Sequence, residues 1–92
     1  MIRSFRCAET QTLFTTGKTR RWSQIKSIAE RKLAMLDAAK ALRDLRSPPG
    51  NRLEQLSGDR SGQHSIRIND QCRICFNWSD EGPANVEIID YH

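Results

Sequence analysis

The residues Asp90-Tyr91-His92 place an acid, an aromatic and an imidazole after an apolar run, Val86-Glu87-Ile88-Ile89. If that run is a strand, side-chain alternation puts Asp90 and His92 on one face and Tyr91 on the other. A carboxylate beside an imidazole fixes its tautomer and stabilises its protonated form, as proton transfer near neutral pH requires. The alternative is a frayed, solvated end. Arg73 stands in the middle of a second apolar run, Cys72-Arg73-Ile74-Cys75-Phe76. Its guanidinium stays protonated and binds oxyanions bidentately, which suits charge developing on a phosphate during backbone cleavage. The structural alternative is an ion pair with Glu87 or Asp90 on a neighbouring strand.

Such a set suits RNA, which carries its own nucleophile. A general base takes the proton of the ribose 2′-OH, and that oxygen attacks the adjacent phosphate. A cation holds the charge while an acid protonates the leaving 5′ oxygen. DNA lacks the 2′-OH, so this route is RNA-specific. Tyr91 is able to stack on a base or simply to pack against the last strand. Arg52 and Arg60 fall in loops beside the expected sheet, where functional or merely solvated arginines both occur. His64 opens a strand as a second imidazole or as a structural one, and Trp22 and Trp78 read as core. No glycine-rich phosphate loop, zinc-protease helix or nucleophile elbow is present.

Length limits where such chemistry can sit. A chain of 92 residues suits a single domain, 1–92, and buries only about 60–65% of its unfolded surface. An open groove is expected rather than an enclosed pocket. No secretory leader and no membrane-spanning run is apparent, so the protein reads as cytosolic and soluble. Three cysteines, Cys7, Cys72 and Cys75, argue against a disulfide framework. The Cys72/Cys75 spacing resembles a metal motif, but strand alternation turns the two thiols to opposite faces, so no metal or other cofactor is expected. Without secretion, the Asn77-Trp78-Ser79 sequon carries no meaning.

The charge is uneven. Residues 1–46 carry a surplus of seven positive charges and residues 47–92 a deficit of three, for a net +4. Lys18, Arg20, Arg21, Lys26, Arg31, Lys32, Lys40, Arg43 and Arg46 are spread along one segment, as on a surface that tracks a phosphate backbone. A solvated helix face with an acidic protein partner would leave the same trace.

The elements that must position these groups follow from period and punctuation. Met1–Arg6 suits a short strand, and Ala8–Thr16 a short helix closed by Gly17. Trp22, Ile25, Ile28/Ala29, Leu33, Leu36, Ala39 and Leu42 recur at intervals of three or four, predicting a long amphipathic helix from Trp22 to Leu45. Ser47-Pro48-Pro49-Gly50 ends it. Alternation then takes over in Ile66/Ile68, in Cys72/Ile74/Phe76/Trp78 and from Ala84 onward, with turns at Asn69-Asp70-Gln71 and Ser79-Asp80-Glu81-Gly82-Pro83. The expected fold class is α+β: an N-terminal strand and two helices packed on an antiparallel sheet with a C-terminal three-stranded meander.

The sequence resembles the HigB-type toxins of bacterial toxin–antitoxin systems, within the RelE-like ribonuclease superfamily. The likeness rests on Arg46-Ser47-Pro48-Pro49-Gly50-Asn51-Arg52-Leu53, Gly58-Asp59-Arg60-Ser61-Gly62-Gln63-His64-Ser65-Ile66-Arg67-Ile68-Asn69, Arg73-Ile74-Cys75-Phe76 and the final Val86 to His92. It implies a microbial-RNase-like α+β fold and a bacterial cytoplasmic enzyme. That enzyme enters the A site of the small ribosomal subunit and cuts messenger RNA without a metal. His92 would then be the main proton-transfer residue, Asp90 its partner, Tyr91 a nucleotide-positioning residue and Arg73 the phosphate stabiliser. Arg52, Arg60, Lys18, Arg20, Arg21, Lys26 and Lys32 would contact message or ribosomal RNA. A HigA-like antitoxin is the implied protein partner, through whose complex operator DNA is bound. Glu54 lies where some relatives carry histidine, and Ser57 where some carry lysine. A carboxylate at 54 is able to act as a base but brings no positive charge. Cys72 lies where tryptophan is usual, and the smaller side chain predicts a cavity if the position is buried. A catalytically weak protein acting through its antitoxin complex in operator regulation is the alternative function.

Overall fold

The computed structural model describes residues 1–90; the expected roles of Tyr91 and His92 lie outside the described residues. Helix α1 spans Ala8–Thr16 and ends on Gly17, whose φ of 73° lets its N–H donate to the Leu13 carbonyl at 2.9 Å. Helix α2 spans Lys26–Ala38 after a 3-10 turn at Ser23–Ile25. The long helix expected from Trp22 to Leu45 is therefore broken. Ala39 is extended, and a separate 3-10 turn covers Leu42–Arg46.

The cause lies in the spacing. Leu33, Leu36, Ala39, Leu42 and Leu45 recur every three residues, and such a stripe rotates off one face of a 3.6-residue helix. A three-residue turn keeps Leu42 and Leu45 on one side, and Leu45 reaches complete burial. Asp44 makes the break stable, because its carboxylate accepts the N–H groups of Lys40 and Ala41, both at 3.0 Å.

Four antiparallel strands follow in the order β1 (Glu54–Gln55), β2 (Gln63–Arg67), β3 (Cys72–Ser79), β4 (Gly82–Asp90). The expected meander is thus present, with β1 added on its outer edge; two residues are too few for alternation to register. The expected N-terminal strand is reduced to one parallel bridge between Phe5 and Val86. A bulge in β4 explains that contact: the register passes from Cys75↔Glu87 to Asn77↔Ala84, so two β4 residues stand where β3 has one. Asn85 takes φ 54° there. Val86 consequently turns its backbone outward, donating to the Ser4 carbonyl at 3.1 Å and accepting from Arg6 at 3.0 Å.

The sheet has two unlike faces. Ile66, Ile74 and Ile88 pair across β2, β3 and β4 and bury against Leu13, Ala29, Leu33, Leu36 and Leu45. Ser65, Cys75 and Glu87 form the corresponding row on the opposite face, outside that cluster, with Ser65 and Cys75 themselves buried. Among the described residues, no helix is long and apolar enough to cross a membrane.

Candidate functional site

Arg73 is the centre of the polar face. Its Nε donates to Ser65 Oγ at 2.8 Å, and Nη2 donates to the Arg52 carbonyl at 2.7 Å with Glu54 Oε1 at 3.5 Å. The expected alternative partners, Glu87 and Asp90, are not the ones it uses. Glu87 pairs with Arg60 at 2.8 Å, and Arg60 also donates to Gln63 at 3.0 Å. The side chain of Arg73 is 14% exposed and that of Glu54 57%. A desolvated, oriented guanidinium thus sits beside an open carboxylate at the sheet edge. This arrangement can hold an oxyanion and accept a proton within one small area.

Three parts of the fold aim that guanidinium. The turn between β2 and β3 sets the register that pairs Arg67 with Arg73, which makes Ser65 the diagonal neighbour on the same face. Arg67 reduces the repulsion of its like-charged neighbour by pairing with Asp70. Arg52 occupies the left-handed region at φ 45°, and this turns its carbonyl toward Arg73. Arg52 is held in turn by Asn51, which is completely buried. The Asn51 amide donates to the carbonyls of Leu45 at 3.1 Å and Ser47 at 3.3 Å, while its oxygen accepts from Lys32 Nζ. Sequence reading passed over both Ser65 and Asn51. The hairpin register was a usable signal for Ser65, whereas nothing in Pro48-Pro49-Gly50-Asn51 marks Asn51 as a buried hub.

Asp90 lies on the other side of the sheet. It pairs with Cys72, two residues beyond the core residue Ile88, and borders a cleft of about 130 Å³ with Arg21, Trp22, Gln24, Asn69 and Cys72. Cys72 is 5% exposed, and its thiol is pushed above the usual cysteine range by burial and then by the Asp90 carboxylate. It is therefore a protonated, unreactive side chain at neutral pH. Asp90 and Arg73 are thus on opposite faces of the sheet end rather than side by side. Among the described residues, no group of three His, Cys, Asp or Glu could hold a metal ion.

The cations expected to grip RNA divide three ways. Lys18, Arg20 and Lys26 are exposed at the α1–α2 end, and Arg52 is exposed beside Arg73. Arg21 is occupied by Glu9 at 3.0 Å and lies over the Trp22 ring at 4.6 Å. Lys32 departs from expectation: it is 8% exposed, and its ammonium serves Asn51. Burial first, then Arg31 and Arg67, hold that group below the ordinary lysine range. It faces inward because its long aliphatic stem lies on the helix side that carries Leu33 and Leu36. His64 is also on the helix-side face, stacked on Phe76 with ring centroids 6.2 Å apart.

Similarities to known proteins agree with this architecture. Residues 3–92 match the family model described as the RelE-like toxin of type II toxin–antitoxin system HigB. The chain is 50% identical over 70 residues to Toxin HigB-1 of Vibrio cholerae serotype O1, covering 76% of this chain and 73% of that protein. It is 36% identical over 64 residues to an uncharacterized protein of Haemophilus influenzae, covering 70% of this chain and 63% of that one. The fold is similar to a chain in the YoeB-YefM complex from Staphylococcus aureus, with TM-score 0.61, 14% identity and coverage of 100% and 98% of the two chains. The chain belongs to the HigB-like family of RelE-like toxins of type II toxin–antitoxin systems.

Proposed function

We propose that the chain is a messenger RNA endoribonuclease that works in the ribosomal A site and is neutralised by a HigA-like antitoxin. RelE-like membership implies endoribonuclease activity in general. The observation that carries the finer reading is the Arg73 guanidinium, largely buried, anchored by Ser65 and the Arg52 carbonyl and set beside the open Glu54 carboxylate. Glu54, or the terminal Asp90 and His92, takes the proton from the 2′-OH. The freed oxygen bonds to phosphorus as the bond to the 5′ oxygen breaks. Arg73 holds the charge on the non-bridging oxygens, and the acid partner, with His92 the first choice, protonates the leaving 5′ oxygen. The products are a 2′,3′-cyclic phosphate and a 5′-hydroxyl, so the proton balance closes without a metal. Tyr91 stacks on a base, and Lys18, Arg20, Lys26 and Arg52 meet RNA phosphates, with Arg21 and Arg60 contributing while tied to their acidic partners.

The test is 5′-end mapping of a defined message with and without programmed ribosomes, beside His92→Ala and Arg73→Ala variants. Cuts at the A-site codon that need ribosomes and vanish in both variants support the reading. Intact message from a folded protein that still binds its antitoxin moves the function to operator regulation through the toxin–antitoxin complex.

A further inference from the structure

Arg43, Arg46, Gln55 and His64 converge on a cleft of about 280 Å³, walled by Leu42 and Leu53, that is separate from the Arg73 site. Its two arginines are brought together by local geometry. They are three residues apart in the Leu42–Arg46 3-10 turn, where side chains at i and i+3 stand one above the other. Leu42 and Leu45 use the same period to face the core, which leaves the arginine row outward. Both arginines are exposed and, among the described residues, make no hydrogen bond or ion pair. Neighbouring guanidiniums repel each other; the Asp44 carboxylate, already held by the Lys40 and Ala41 N–H groups, offsets part of this at Arg43, and a bound anion relieves the rest.

The opposite wall points the same way. His64 stacks on Phe76 and lines the cleft, and its Nδ1 is buried with no hydrogen-bond partner among the described residues. Gln55 is exposed beside it and adds a carboxamide donor. Gln55 follows Glu54 in β1, and successive strand residues point to opposite faces. The cleft and the Arg73 site are therefore the two sides of one short edge strand. A chain of phosphates crossing that edge meets Arg73 on one side and the paired arginines on the other.

We propose that the Arg43/Arg46/Gln55/His64 cleft binds an RNA phosphodiester. The proposal rests on the RNA-directed function above and adds a second phosphate contact to it. The probe is a fluorescently labelled 2′-O-methyl RNA oligonucleotide, which has no free 2′-OH to attack, followed by anisotropy across a salt series. A parallel arm measures co-sedimentation with purified ribosomes. The Arg43→Gln/Arg46→Gln double variant is expected to lose about tenfold in oligonucleotide affinity. Its log–log salt slope should flatten by roughly 0.7, the value for one phosphate contact in a single strand. Arg43→Lys/Arg46→Lys should recover part of the affinity, and imidazole NMR signals of His64 should move on titration of the wild type but not of the glutamine variant. Loss confined to the ribosome arm supports the cleft and assigns it to ribosomal RNA; loss with the oligonucleotide assigns it to a free strand. Affinities within twofold of wild type in both arms overturn the proposal, as do His64 signals unmoved by an oligonucleotide whose affinity the double variant has lost. The two readings fail separately. A wild type that binds RNA through the cleft but cuts no message sinks the nuclease, and one that cuts while the double variant binds and cuts equally well sinks the cleft alone.

Discussion

Ser65→Ala tests whether the fold aims Arg73 for chemistry. Ser65 is completely buried, and its hydroxyl is the acceptor for Arg73 Nε at 2.8 Å. Alanine leaves the packing nearly unchanged but removes that acceptor from a guanidinium that is 14% exposed. A hydrogen bond to a charged group contributes about 1.5–3 kcal/mol. Nη2 keeps the Arg52 carbonyl and Glu54, so the loss should fall at the lower end, about 1–2 kcal/mol. In a domain of this size that lowers Tm by roughly 4–15 °C. A guanidinium released at one of its two anchors is less well placed over the phosphate, and about 1.4 kcal/mol of lost transition-state stabilisation means tenfold in kcat. The assay is the rate of message cleavage on programmed ribosomes, read beside thermal unfolding at the same pH, with antitoxin affinity as a control for the folded surface. Arg73→Lys should cost more, about 100-fold or above, because an ammonium cannot span Ser65, the Arg52 carbonyl and a phosphate together. Cleavage by Ser65→Ala within twofold of wild type, at temperatures where both are folded, would refute the idea that this anchoring serves catalysis.

Three other substitutions probe the supports of the site. Gly82→Ala should destabilise by about 2 kcal/mol or more in denaturant unfolding, since its Cβ would lie 2.3 Å from the Met1 carbonyl oxygen and Gly82 has φ 125°. Unchanged stability would show that the N-terminal segment does not need that close approach. Asn51→Ala should cost about 3–5 kcal/mol, because it removes the amide's hydrogen bonds and strands the Lys32 ammonium and the Leu45 carbonyl; a cost below about 1 kcal/mol would deny Asn51 its role as a hub. Asp44 has its carboxyl held below the ordinary value of 3.8 by the Lys40 and Ala41 N–H groups. A depressed carboxyl stabilises the fold above its unfolded value and loses that contribution as pH falls through its folded value. The stability gap between wild type and Asp44→Ala should therefore be steady near neutrality and close below about pH 3.8. A gap that stays constant down to acid unfolding would contradict it.

Much of the architecture was legible because its signals are strong and local. Gly17 closed α1 where a left-handed residue was expected, and the alternation of Cys72, Ile74 and Phe76 placed β3 with its faces correctly assigned. Errors arose where two readings shared one pattern. The run of apolar residues from Leu33 to Leu45 looked helical, but its spacing of three belongs to a tighter turn, and the Asp44 carboxylate ends α2 by a side-chain contact that period cannot show. Lys32 looked like part of a basic surface because charge counts carry no information on direction; its inward turn depends on Asn51, nineteen residues away in sequence. At the site, the polarity of the sheet face was readable from Arg73 and Asn77. The partners of Arg73 were not, because the left-handed turn at Arg52 and the added strand at Glu54 arise only once the chain has folded around Asn51.

The separation of Arg73 from Asp90 bears on the proposed reaction. With Cys72↔Asp90 and Arg73↔Ile89 as neighbouring pairs, strand alternation places the guanidinium and the carboxylate on opposite faces of the same sheet end. An in-line displacement at phosphorus needs the attacking and leaving oxygens on opposite sides, so its base and acid cannot share one position. Glu54, on the Arg73 face, is suited to one side of the phosphate, while Asp90 lies on the opposite face. On that division, replacing Glu54 with histidine should restore a positive charge beside the phosphate and change the pH dependence of cleavage. Replacing Asp90 with asparagine should lower the rate while leaving the limb set by position 54 in place. Identical pH–rate profiles for Glu54→His and wild type would remove Glu54 from the proton path and leave both transfers to the C-terminal residues.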